Sequence, residues 1–172
     1  MTVDEAKDAL ALSKVVQDQA DELWHPPVEL ERPHHEKVLP GSVFANTRSY
    51  IEKIVFQING CYEAGCYDAC SVMIRRLLET LIIEAFEHHK VVSQIQDSNG
   101  AFLRLSGLID QSLQCKRWNL TRNCKSHIRK LKAIGDLSAH SRYYLAQRND
   151  IDKHADGVRI VAQELLFLAH LK

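Results

Sequence analysis

Lys132, Asp136 and His140 recur at intervals of four residues within the basic segment 128–142. On an α-helix, residues at this spacing lie on one face over about two turns. Histidine transfers protons near neutral pH, and cationic side chains beside it bind phosphate. One interpretation is therefore catalysis on a phosphate-containing substrate, with His140, Lys132 and Arg142 as the catalytic residues.

The structural interpretation uses the same residues. His140 falls near the predicted end of its helix, where a histidine interacts favourably with the helix dipole and bonds a terminal carbonyl. Asp136, one turn earlier, would pair with His140 or with Lys132. Gly135 adds a second signal, because glycine within a helix costs about 1 kcal/mol relative to alanine. We therefore expect another helix to approach Gly135 closely.

The net charge is zero, but the charges are unevenly distributed. Residues 1–36 carry nine acidic and three basic residues, whereas residues 116–142 carry eight basic residues and Asp136 as the single acid. This asymmetry indicates an anionic partner for the basic segment, either outside the chain or within it, unless the segment is only a solvated face. The candidate nucleic-acid-binding residues are Lys125, Arg129 and Lys130.

Composition limits the classes of protein to consider. Apolar residues make up 45% of the 172 residues and charged residues 26%, as in ordinary globular proteins. No apolar run reaches the roughly 20 residues that span a bilayer, and the acidic start does not resemble a signal peptide. We expect a cytoplasmic protein with no membrane association, no cofactor and no metal site. The five cysteines are expected to be reduced, with Cys66 and Cys70 buried on one apolar helix face.

The elements that position these residues are helical. Apolar residues at helical spacing and capping residues predict helices over residues 2–23, 46–64, 66–88, 100–114, 121–144 and 150–171. All four prolines fall in residues 24–44, which predicts an extended linker. The expected fold is an all-α antiparallel bundle of about five core helices plus an N-terminal helix. We divide the chain into an acidic helix and tether, residues 1–38, and a helical domain, residues 39–172.

Three short fragments carry a family resemblance. They are Gly-Cys-Tyr-Asp-Ala-Cys at residues 65–70, Ile-Arg-Arg-Leu-Leu-Glu at residues 74–79 and Ile-Gly-Asp-Leu-Ser-Ala-His at residues 134–140. Over about residues 38–170 the chain resembles the domain-of-unknown-function family 4145 (DUF4145), which is similar in turn to the HEPN superfamily. The resemblance implies a dimeric α-helical bundle. Active HEPN members cleave RNA without a metal, using an arginine followed a few residues later by a histidine.

This chain departs from that motif. Lys132 stands where the arginine is expected, and seven residues separate it from His140. The resemblance also bears on Arg75 and Glu79, which have the spacing of a solvated ion pair. It implies instead that they face the side of the helix that carries Asp136 and His140, and that they form a structural polar network with Asp136.

Together these features predict a HEPN-like dimerising interaction or regulatory module without robust catalysis. The expected partners are a second copy of the chain and an RNA or another protein. The alternative is a metal-independent endoribonuclease of a toxin or phage-defence system that uses His140.

Overall fold

The computed structural model describes residues 38–172, so the predicted helix 2–23 and most of the predicted linker lie outside the described residues. The predicted all-α fold is confirmed. Over the described range there is no strand, and the nearest approach to one is a single bridge between Gln96 and Phe102. The helices are α1 (Gly41–Phe44), α2 (Ser49–Glu63), α3 (Tyr67–His88), α4 (Leu105–Gln114), α5 (Arg122–His140), α6 (Arg148–Asp152) and α7 (Ala155–Leu168), with a 3₁₀ turn at Val92–Ile95.

Helices α2 and α3 form an antiparallel hairpin. Each buries an apolar stripe at helical spacing, as the sequence predicts. At the turn, the rings of Tyr62 and Tyr67 meet edge to face with centroids 5.8 Å apart. At the far end, the Tyr50 hydroxyl near the start of α2 donates to the carboxylate of Glu84 near the end of α3. The predicted turn at Gly65 is confirmed, because its φ of +74° is the left-handed conformation that glycine adopts readily.

Helix α5 runs antiparallel to both α3 and α7. Its C-terminal half packs on the N-terminal half of α3, where Gly135 meets Arg75. Its N-terminus lies against the later part of α7: the carboxylate of Glu164 accepts hydrogen bonds from the backbone and side chain of Thr121. The sequence offers Thr121 or Asn119 as the N-cap of this helix, and the cap is Thr121, whose hydroxyl accepts from the amide of Cys124.

Three predicted boundaries were wrong. Helix α5 ends at His140 rather than at residue 144, and α4 begins at Leu105 rather than at residue 100. The predicted helix 150–171 is two helices, because the chain turns after α6 at Lys153 and His154. The sequence predicts Asn149 or Asp150 as the N-cap of the last helix. That prediction is wrong, because the cap before this region is Gln147, whose backbone amide donates to the Asp150 carboxylate.

The last residues of the predicted linker 24–44 belong to the bundle. Val38, Leu39 and Phe44 are buried, and residues 41–44 are helical rather than extended. The side chain of Asn59 bonds both the amide and the carbonyl of Leu39, at 3.1 and 2.8 Å. Burying these backbone groups requires such partners, and a side-chain amide supplies a donor and an acceptor together.

Candidate functional site

The site begins where α5 crosses α3. A Cβ placed on Gly135 would lie 2.9 Å from the Cβ of Arg75 and 3.4 Å from the carbonyl oxygen of Ser71. Real Cβ atoms do not approach another Cβ this closely, so the two helices pack here only because residue 135 is glycine. The close approach predicted at Gly135 is confirmed. It also brings the Lys132, Asp136 and His140 stripe within reach of side chains on α3.

Arg75 joins the charged side chains of the two helices. Its Nη1 donates to Oδ1 of Asp136 at 2.6 Å, and its Nε lies 3.4 Å from Oε1 of Glu79. The other carboxylate oxygen of Asp136 accepts from Lys132. We call Arg75, Glu79, Lys132 and Asp136, together with His140, the polar cluster. It contains two cations and two carboxylates, so its charges cancel when His140 is neutral.

His140 is the last residue of α5 and is exposed to solvent. Its Nε2 lies 3.5 Å from Nη1 of Arg75. A neutral imidazole with an unprotonated Nε2 accepts a weak hydrogen bond in this arrangement. An arginine therefore lies beside His140, but it comes from α3 and not from the residues that precede His140 on α5.

The third predicted catalytic residue, Arg142, lies apart from the polar cluster. It is exposed beyond the end of α5, and its guanidinium carbon lies 5.7 Å from the centroid of the Tyr143 ring. Across residues 38–172 it forms no ion pair. The structure therefore brings together Lys132 and His140 of the predicted catalytic set, through Asp136 and Arg75, and leaves Arg142 outside.

The predicted nucleic-acid-binding residues divide into two kinds. Lys125 is half-buried, and its ammonium group donates to the side chain of Asn119 at 2.8 Å. Arg129 and Lys130 are exposed on α5 and make no ion pair within the described part of the chain. These two side chains, which we call the basic face, are therefore available to an anionic partner.

Sequence reasoning missed three exposed apolar side chains in the last turn of α5 and in the segment that follows it. Leu137, Tyr143 and Leu145 have exposed fractions of 46%, 88% and 72%, and we call them the apolar edge. We did not predict this exposure, because the helix was expected to continue to residue 144. Residues 143–146 are Tyr-Tyr-Leu-Ala, which shows no alternation of polar and apolar residues, so no local signal in the sequence marks this non-helical segment.

The segment that carries the apolar edge is held at several points. The amide of Ala146 donates to Asp68 on α3 at 3.0 Å. The Tyr144 hydroxyl donates to Asp150 on α6 at 3.1 Å, and burial together with this bond to a carboxylate raises the pKa of Tyr144. Tyr143 and Leu145 therefore remain exposed in a segment whose backbone is fixed.

Two further observations concern residues 38–172 as a whole. Within this range, no three histidine, cysteine or carboxylate side chains are grouped as a metal ion would require. None of its helices combines the length and apolar character needed to cross a bilayer.

Comparison of the chain with protein-family models, curated proteins and solved structures finds no match. The resemblance to DUF4145 and HEPN domains therefore stays a prediction. The features of the described residues that bear on function are the polar cluster, the basic face and the apolar edge.

Proposed function

We propose that this chain is a HEPN-like helical module that self-associates through the apolar edge and serves an interaction or regulatory role without robust catalysis. Its further partner would be an RNA or another protein. The observation that carries the proposal is the exposure of Tyr143 and Leu145 in a segment whose backbone is held by Asp68 and Asp150.

The apolar edge has the composition of a protein-binding surface. Removing apolar area from water stabilises a complex by roughly 25 cal/mol per Å², and tyrosine is enriched among the residues that dominate interface energies. Because residues 141–147 are already held by hydrogen bonds to α3 and α6, little conformational entropy is lost when a partner covers them.

The polar cluster supports the same proposal. Arg75 and Lys132 are already paired with Asp136, and Arg75 also lies near Glu79. A phosphate would have to compete with these carboxylates for both cations, and Arg142 is not positioned to assist. The cluster is thus suited to fixing the register of α3 and α5 beside the apolar edge.

The basic face favours an anionic partner for the assembled module. Arg129 and Lys130 are exposed on the same helix as the polar cluster, and their charges are not compensated by ion pairs in residues 38–172. Such cations bind a nucleic-acid backbone through phosphate contacts that salt weakens. These two residues therefore favour a nucleic-acid partner, and the proposed HEPN-like character makes RNA the one to test.

Sedimentation equilibrium of three proteins tests self-association. We expect wild type to form a dimer and the Tyr143→Ser/Leu145→Ser variant to raise its Kd about tenfold or more, as when a contact worth at least 1.4 kcal/mol is lost. The matched control is Phe56→Ser/Phe167→Ser, which removes two similarly exposed apolar side chains from α2 and α7 and should leave the Kd unchanged. A monomeric wild type, or equal weakening by both variants, would contradict the proposal.

One observation favours a second candidate, a metal-independent endoribonuclease of a toxin or phage-defence system. His140 is exposed and lies 3.5 Å from a guanidinium nitrogen of Arg75. In a dimer, one His140 would take the proton of the ribose 2′-hydroxyl and the other would protonate the leaving oxygen, while Arg75 and Lys132 would stabilise the charge on the phosphate. RNA cleavage that persists with a chelator and is lost in His140→Ala would establish this function in place of the first.

A further inference from the structure

The turn between α2 and α3 places two cysteines side by side. The amide of Cys66 donates to the carbonyl of Cys61 at 2.9 Å, and the amide of Gly65 donates to the carbonyl of Tyr62 at 3.1 Å. Gly65 has a φ of +74°. These two bonds and the left-handed glycine define a Schellman motif, in which the side chains at the positions of Cys61 and Cys66 commonly contact each other.

The backbone geometry suits a disulfide at these positions. The covalent bonds and the single hydrogen bond that connect the Cα atoms of Cys61 and Cys66 span at most about 7 Å. Bond angles at the nitrogen and carbonyl shorten that span further. Disulfides join Cα atoms that are roughly 4.4 to 6.8 Å apart, so the upper limit that this hydrogen bond sets on the Cα separation is compatible with a bridge.

Exposure distinguishes this pair from the other cysteines. Cys66 is exposed and Cys61 is half-buried, whereas Cys70, Cys115 and Cys124 are buried. Cys66 was predicted to be buried, and that prediction was wrong because Cys66 precedes the first turn of α3 instead of lying on its apolar face. Burial raises the pKa of Cys70 and of Cys124 to about 12, which leaves both as unreactive thiols.

We propose that Cys61 and Cys66 are an oxidisable dithiol, a modification site that a low-molecular-weight disulfide converts into an intramolecular disulfide. The exposed Cys66 thiolate attacks one sulfur of the oxidant, forms a mixed disulfide and releases one thiolate. Cys61 then loses its proton to solvent and attacks the sulfur of Cys66, releasing the second thiolate. Two electrons pass from the cysteines to the oxidant, which leaves as two thiols.

The order of the two attacks follows from the surroundings of each thiol. Burial raises the pKa of Cys61, and a negative charge on Cys66 raises it further. Cys61 is therefore the less reactive partner and acts second, once Cys66 is held in the mixed disulfide. This site does not depend on the proposed self-association, since it lies in the turn between α2 and α3.

Treatment of the full chain with glutathione disulfide tests the proposal. Non-reducing mass spectrometry should show a loss of two hydrogens, a peptide joined through Cys61 and Cys66, and three free thiols in place of five, all reversed by dithiothreitol. Cys61→Ser should instead retain one glutathione on Cys66, whereas Cys70→Ser should still form the bridge. A stable glutathione adduct on wild type, a bridge to Cys70, or no reaction would each overturn the proposal.

Discussion

Gly135 and Arg75 fix the distance between α5 and α3, because a Cβ on residue 135 would lie 2.9 Å from the Cβ of Arg75. The neighbouring atom is the first carbon of a side chain and moves only with its helix. The carbonyl oxygen of Ser71 bounds the other side of the position at 3.4 Å. This contact places Asp136, the next residue on α5, where Arg75 reaches it.

Gly135→Ala should therefore lower the free energy of unfolding even though alanine is the better helix former. Forcing extra volume into a packed contact costs about 1 to 3 kcal/mol, and the gain in helix propensity offsets about 1 kcal/mol of it. We expect a net loss of up to about 2 kcal/mol, measured by urea denaturation. Ser126→Ala, at an exposed position on the same helix, should show no loss. A more stable Gly135→Ala protein would contradict this close packing of α5 on α3.

The ion pair between Arg75 and Asp136 should be stronger than a typical surface pair. Both side chains are mostly buried, with exposed fractions of 20% and 31%, and the bond is a short one between two charged groups. A double-mutant cycle with Arg75→Gln and Asp136→Asn should give a coupling energy of about 1 kcal/mol. Urea denaturation of the four proteins measures it.

The Asp156 and Arg159 pair supplies the comparison for that cycle. The Asp156 carboxylate lies 3.2 Å from the Arg159 guanidinium, and the Asp156 side chain is 89% exposed. Solvent therefore screens the interaction. We expect a coupling energy of only a few tenths of a kcal/mol for Asp156→Asn with Arg159→Gln. Equal coupling in the two cycles would mean that Arg75 does not hold the helices in register.

Local sequence patterns predicted the long helices well because each buries a continuous apolar face. The predicted ranges 46–64 and 66–88 differ from α2 and α3 by only a few residues at each end. The cap at Thr121, one of two candidates with Asn119, was predictable for a similar reason, since its hydroxyl bonds the amide of Cys124 only three residues away. Interactions over such short separations are encoded in the local sequence.

Interactions between distant residues decided the parts that sequence patterns missed. The amide of Ala146 bonds Asp68, 78 residues away, and this contact holds the non-helical segment after His140, whose residues 141–144 were predicted to be helical. Similarly, Arg75 binds Asp136, which lies 61 residues away. The four-residue spacing of Arg75 and Glu79 does not reveal this contact, because it fits a solvated ion pair equally well. Gly135 was the one local signal that α5 meets another helix at this point.

His154 should make the stability of the fold depend on pH. Burial lowers the pKa of His154 below the usual 6.5, and the charge of Lys130 lowers it further. Asp150 opposes this shift by raising the pKa, whereas His127 and Lys153 add to the lowering. The folded state therefore binds fewer protons here than the unfolded chain. The stability that this group contributes is complete above pH 6.5 and is lost as the pH falls toward its folded-state pKa.

Comparison of wild type with His154→Gln tests this dependence. The unfolding free energy of wild type should fall relative to that of His154→Gln as the pH falls from 8 to 5. Urea denaturation at several pH values measures it, and the difference at pH 8 records the effect of the side-chain change alone. Parallel stability curves would show that His154 does not carry the pH dependence.

The basic face should determine how strongly salt weakens RNA binding. If Arg129 and Lys130 contact phosphates, replacing both by glutamine removes two counterion-releasing contacts. The slope of log K against log salt concentration for a single-stranded RNA should then fall by about 0.7 per cation. Fluorescence anisotropy over a range of salt concentrations measures the slope.

The control variant Lys53→Gln/Arg104→Gln makes the same change in net charge at exposed positions away from α5. If the protein attracted RNA only through its overall charge, both variants would lower the slope equally. We expect the control to retain the wild-type slope, because counterions are released only where cations contact phosphates. Equal slopes for all three proteins would remove RNA as the partner of the basic face and leave a protein partner for the proposed module.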